Sequence, residues 1–176
     1  MEARTPAIAS AVVDFTVRLA ERRDAGAIRA LYNVEVAEST VTFDLVPRTL
    51  DEQVEWIDAH SGAHPAVVAI DEAEEVVGFG SLSPFKDRAA YSTTVEDSVY
   101  VRRDRRGQGI GRLLLDHLLA TAGQRGFTRV SLETGTTDAF AAARSMYVAA
   151  GFVPCPPFGE YRATPDNTYF TLVLPC

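Results

Sequence analysis

The chain has 176 residues, which suits one ordinary domain, and its 47% hydrophobic and 23% charged residues exclude a disordered polyelectrolyte and predict a packed core. A net charge of −7 excludes a general nucleic-acid binder, because phosphate backbones repel an acidic surface. No apolar run approaches the ~20 residues that would span a bilayer. From the N-terminus, residues 1–13 form a weakly apolar, flexible leader without a signal peptide's hydrophobic stretch, and residues 14–176 read as one domain. Phe15 to Leu19 alternates as a strand does. Asp24 is placed to cap a helix carrying Ile28, Leu31 and Tyr32 on one face, and Thr49 or Asp51 to cap another with Val54, Trp56 and Ile57. Ala66 to Ile70 and Val76 to Leu82 read as a hairpin across the acidic turn Asp71 to Glu75. Pro84 to Ala90 is a loop and Thr94 to Val101 a strand. Ile110, Leu113, Leu114, Leu118 and Ala122 recur at helical spacing, ending at Gly126. A strand (Val130 to Glu133), a helix (Ala139 to Ala150, stopped by Gly151) and a strand (Tyr169 to Leu174) complete a mixed α/β pattern around one sheet. Cys155, Cys176, His60, His64 and His117 lack ligand spacing, so no metal is expected, and nothing suggests an oxidising compartment, which leaves the cytoplasm.

One segment departs from the acidic character. Arg102, Arg103, Arg105, Arg106 and Arg112 crowd into eleven residues with three glycines, between a strand and an amphipathic helix. The first N–H groups of a helix lack intrahelical partners and sit at its positive end, so a glycine-rich turn there can wrap a phosphate or pyrophosphate. A Walker loop fails, because Gly111 is followed by Arg112-Leu113 rather than Lys-Ser/Thr. A Rossmann fingerprint fails too: the positions that should be glycine are Arg112 and Leu114.

Arg106-Gly107-Gln108-Gly109-Ile110-Gly111 does match the Arg/Gln-x-x-Gly-x-Gly/Ala loop of the GNAT superfamily of N-acetyltransferases, which this chain resembles from Phe15 onward. The resemblance implies a GNAT-type α/β fold, with a mixed, mostly antiparallel central sheet flanked by helices. It implies acetyl-CoA as cofactor, with its pyrophosphate held by Arg106, Gly107, Gln108, Gly109, Ile110, Gly111 and Arg112. The pantetheine arm would pair with the backbone of Val99, Tyr100 and Val101, which aims an N–H at the thioester carbonyl.

A closer similarity covers Asn33 to Trp56, with Glu38-Ser39-Thr40-Val41-Thr42-Phe43 and Pro47-Arg48-Thr49, and Pro84-Phe85-Lys86-Asp87-Arg88-Ala89-Ala90-Tyr91 through Glu96 to Val101. These stretches resemble the phosphinothricin and methionine sulfoximine acetyltransferase branch. That resemblance implies Glu96 as catalytic base and Phe43, Lys86, Arg88 and Tyr91 along the acceptor pocket. The wider GNAT resemblance, rather than this branch, implies Tyr147 near the coenzyme sulfur, where it or water protonates the leaving thiolate. A carboxylate suits the task, since an ammonium must lose its proton before it can attack. Two departures stand out: Ala139 or Phe140 occupies the place of a pantetheine-contacting Asn, and the tail from Pro154 lacks the branch's Lys, Gly, Trp and Asp segment. Tyr161 and Arg162 in that tail are further candidate contacts. The implied function is acetyl transfer to a small-molecule amine, an amino acid or amino-acid-like xenobiotic, by a homodimer, with no nucleic-acid or membrane partner. A polyamine or aminosugar acceptor, or a non-catalytic coenzyme A-binding module, are the alternatives.

Overall fold

The computed structural model describes residues 14–39, 42, 44–85, 89–158 and 161–175. The expected leader, residues 1–13, lies outside them. The strands are β1 (Thr16–Leu19), β2 (Ala66–Ile70), β3 (Val76–Pro84), β4 (Thr94–Val101), β5 (Arg129–Gly135), β6 (Val153–Cys155) and β7 (Asn167–Val173). The helices are α1 (Ala25–Glu38), α2 (Leu50–Ala59), α3 (Ile110–Gln124) and α4 (Ala141–Ala149). The seven described strands form one sheet in the order β1-β2-β3-β4-β5-β7-β6, antiparallel except at β4–β5. This is the mixed, mostly antiparallel α/β architecture expected of the sequence.

Strand alternation divides the core into two layers. Val67, Ala69, Val77, Leu82, Val95, Val130, Leu132 and Phe170 face α3 and α4, meeting Ile110, Leu114, Leu118 and Tyr147. Val68 and Phe79 point the other way, onto Ile28, Tyr32 and Ile57 of α1 and α2. Helix α3 lies close on the sheet because β3 carries glycine beneath it: a Cβ on Gly80 would come within 2.8 Å of Leu118 Cδ1 and 2.9 Å of the Ser98 carbonyl. Helix α2 starts on a capping box, with Thr49 Oγ1 accepting from Glu52 N at 3.3 Å and Glu52 returning a carboxylate to Thr49 N at 2.7 Å.

Two local expectations change, and one strand is added. Asp24 occupies the N-cap position of α1, but its carboxylate accepts from Arg18 at 2.7 and 2.8 Å and from Glu21 N, because a buried acid is better compensated by a guanidinium than by free helix N–H groups. Pro84 ends β3 rather than opening the loop, a place where a missing donor costs nothing. The Pro154 segment, for which the sequence predicts no element, forms the edge strand β6 on β7, and proline is tolerated at such an edge.

Candidate active site

The sheet forks at its centre. β4 and β5 pair in parallel only through Thr94–Arg129, Val95–Val130 and Glu96–Ser131. Beyond that point β4 continues with β3 as far as Val101, while β5 continues with β7 as far as Gly135. Among the described residues the β4 segment Asp97 to Val101 therefore has one edge without a strand partner, and it contains Val99, Tyr100 and Val101. The Tyr100 side chain turns to the α1/α2 face and stacks on Phe79 at 4.9 Å, so the backbone is what this residue offers the fork.

At the end of β4 the chain enters the glycine turn. Gly107 and Gly109 have φ of +76° and +86°, a region that side chains rarely adopt, and apart from the adjoining residues no described atom lies within 4 Å of a Cβ built on either. Gly109 caps α3 without a side-chain hydrogen bond, Ile110 anchors the first turn in the core, and Gly111 rests against Met146 of α4. Gln108 is exposed beside them. The first turn of α3 holds no acid, so its free N–H groups make an open anion cradle.

The arginines of this segment are not a free basic patch. Arg103 binds Glu35 at 3.0 Å and Glu38 at 2.6 Å, Arg105 binds Asp71 at 3.0 Å, and Arg102 binds Asp104 at 2.8 Å. Arg106 binds Glu35 at 2.9 Å and the Val101 carbonyl at 3.3 Å, and Arg112 binds Asp116 at 2.8 Å. Glu35 of α1 is buried, which pushes its pKa up, but Arg103, Ser39 and Arg106 reverse this and hold it below the usual carboxylate value. The turn is thus tied to α1.

Glu96 stands in the last β4–β5 pair on the α1/α2 face. It is partly buried and accepts a hydrogen bond from the Tyr161 hydroxyl. Burial raises its pKa; the Tyr161 bond opposes that and Glu133 adds to it. Glu133, on the same face of β5, accepts from Asn167 at 2.7 Å and Tyr169 at 3.1 Å, and its pKa is also raised, by burial. Phe85, Tyr91, Phe158, Tyr161 and Tyr169 form a continuous run of ring contacts beside these carboxylates, with centroids 4.9 to 5.8 Å apart. Tyr147 is buried on the opposite, α3/α4 face, where burial and then Asp97 push its phenol well above its ordinary pKa.

The structure thus gathers Glu96, Tyr161 and Tyr91 on the aromatic side of the fork and Tyr147 on the other. Phe43, Lys86 and Arg88 lie outside the described residues. Ala139 and Phe140 form a short 3-10 turn before α4, with the Phe140 ring covering Gly135. Sequence reasoning overlooked Glu133, Phe158, Tyr169 and Asp97. The one available signal was Glu96-Asp97, two acids in succession on a strand, which must face opposite sides.

A family model for "Acetyltransferase (GNAT) family" matches residues 28–152. The Phosphinothricin N-acetyltransferase of Streptomyces coelicolor is 39% identical over 101 residues, covering 56% of this chain and 59% of that protein. The L-methionine sulfoximine/L-methionine sulfone acetyltransferase of Pseudomonas paraeruginosa is 38% identical over 110 residues, covering 59% and 64%. The matched segment therefore spans less than two thirds of either relative. The crystal structure of a GNAT superfamily phosphinothricin acetyltransferase (Pat) from Sinorhizobium meliloti in complex with AcCoA superposes with a TM-score of 0.81 at 28% identity, covering 91% of this chain and 88% of that one. With its forked sheet and glycine turn, this chain belongs to the acetyltransferase (GNAT) family.

Proposed function

We propose that the protein is an acetyl-CoA-dependent N-acetyltransferase that acetylates the amine of an amino acid or amino-acid-like molecule, of the phosphinothricin or methionine sulfoximine type, by direct transfer with Glu96 as base. The observation that carries this reading is the fork itself: an unpaired β4 edge, a partly buried carboxylate at its apex and a helix N-terminus at its far end. The residues fit the cofactor. Gly107 and Gly109 leave open space where side chains would intrude, and the α3 N–H groups, Gln108, Arg106 and Arg112 surround the turn. The Val99 to Val101 backbone offers the edge on which a pantetheine arm would pair.

Bound acetyl-CoA supplies an acetyl group activated as a thioester. Glu96 attracts the acceptor ammonium and takes its proton, and its raised pKa makes it a better base than an exposed glutamate. Tyr161 orients the carboxylate, and the ring run from Phe85 to Tyr169 packs beside it. Lys86 and Arg88 are proposed to meet the acceptor's carboxylate. We further propose that the enzyme works as a cytoplasmic homodimer, with sedimentation as the test of assembly.

A second reading, a polyamine or aminosugar acceptor, is favoured by the pair Glu96 and Glu133, which put two carboxylates on the acceptor face. Thiol release from acetyl-CoA across amino-acid analogues, common amino acids, polyamines and aminosugars separates them. Turnover confined to amino-acid analogues and lost in Lys86→Ala and Arg88→Ala supports the first. Glu96→Gln is expected to lower kcat by ~10²-fold or more, and full activity in that variant would remove Glu96 from the role of base.

A further inference from the structure

Glu96 and Asp97 follow one another on β4, and alternation sends them to opposite faces. Asp97 lies opposite Leu82 in the β3 register, on the α3/α4 face, and is 4% exposed. Among the described residues it is the one carboxyl group with both oxygens buried and unpartnered. Leu82 of β3, Ile110, Leu114 and Leu118 of α3, and Val130 and Leu132 of β5 make up the apolar layer on this face. The titratable groups coupled to Asp97 are Glu96 on its own strand and Tyr147 of α4, and no cation is among them. An ionised carboxylate left this way is strongly disfavoured, so the group is held as a neutral acid. Burial first and Glu96 second push its pKa up to about 8.

Its place distinguishes it from a packing fault. Pairing between β4 and β5 ends at Glu96–Ser131, so Asp97 is the first β4 residue at the apex of the fork. We propose that Asp97 is a second catalytic residue, the proton donor to the sulfur that leaves on acetyl transfer, acting from the face of the sheet opposite Glu96. The inference rests on reading the fork as the thioester site. As the carbon–sulfur bond breaks, its electron pair stays with sulfur and the Asp97 O–H proton joins it to give the thiol. An acceptor ammonium sheds one proton to solvent through Glu96 before attack and a second to Glu96 as the N–C bond forms. Return of that second proton from Glu96 to Asp97 restores both groups, so one proton is released per ammonium acetylated and no further reagent is needed. An acid titrating near the working pH suits this task better than Tyr147, whose burial makes its phenol hold the proton more tightly.

Asp97→Asn keeps the size and removes the proton; Asp97→Val does the same with an apolar group should the amide disturb folding. The first readout needs no acceptor and no turnover. Infrared difference spectra are expected to show a protonated carboxyl band in the unmodified protein at neutral pH that is absent from both variants. Coenzyme A should shift that band and desulfo-coenzyme A should not. In steady state, kcat is expected to fall ~10²-fold with the KM for acetyl-CoA within about threefold, and the alkaline limb near pH 8 should disappear. A band unmoved by coenzyme A, one moved equally by desulfo-coenzyme A, or a variant that keeps kcat within about threefold overturns the proposal. If no amine is turned over by the unmodified protein, the transferase reading fails, while the infrared response to coenzyme A still decides whether Asp97 meets the sulfur.

Discussion

Tyr161→Phe tests the coupling between the C-terminal tail and the base. The substitution deletes the phenol that donates to Glu96 and keeps the ring, which packs at 5.3 Å from Phe158 and 5.8 Å from Tyr169. A donor on a carboxylate stabilises the ionised form, so losing it must raise the Glu96 pKa further, with burial and Glu133 then unopposed. A hydrogen bond to a charged group contributes about 1.5–3 kcal/mol, and 1.36 kcal/mol corresponds to one pKa unit, which sets a ceiling of about one to two units. Glu96 is only partly buried, so water replaces some of the bond and about one unit is expected. The assay is kcat/KM against pH, whose acid limb reports the base of the free enzyme. That limb should move to higher pH by about one unit. A limb that stays in place or moves to lower pH would refute the claim that Tyr161 tunes Glu96.

Three further outcomes follow from the packing. Glu35→Gln removes the buried carboxylate that joins Arg103 and Arg106 to α1, and should destabilise the fold by about 2 kcal/mol, read as a fall in Tm of about 4–8 °C. Gly80→Ala forces a Cβ against Leu118 and the Ser98 carbonyl, at 2.8 and 2.9 Å, so urea unfolding should show a loss of about 1–3 kcal/mol. Asp97 makes stability depend on pH with a definite sign. Its folded pKa of about 8 lies above the ordinary 3.8, so its contribution is fully present below pH 3.8 and lost as pH rises towards 8. The slope in that window is about 1.4 kcal/mol per pH unit. Asp97→Asn should lack this slope and gain on the unmodified protein between pH 5 and pH 8 in urea titrations; parallel curves would contradict a buried neutral acid.

Much of the scaffold is legible in the residues because its signals are local. The Thr49/Glu52 capping box, the Leu114/Leu118/Ala122 spacing and the Arg106 to Gly111 turn each need only a few neighbours to be recognised, and each forms where it was expected. The edge strand β6 was hidden because Pro154 weakens a strand signal, and only its pairing with Phe170 on β7 reveals it. The arginine run shows the limit of composition. Its density pointed to an open polyanion site, yet its partners Glu35 and Asp71 lie 68 and 34 residues away from Arg103 and Arg105.

By itself the sequence determined the order of the helices and of every strand but β6, and the glycine turn at the head of α3. Periodicity, caps and turn chemistry depend on residues a few positions apart, so one chain read in order suffices. Only the tertiary structure decided that β4 and β5 part after Glu96, that Tyr161 reaches back 65 residues to that carboxylate, and that Asp97 is shut into an apolar layer without a partner among the described residues. Those properties depend on strand register and on burial between layers, and both are set by contacts between residues far apart in the chain.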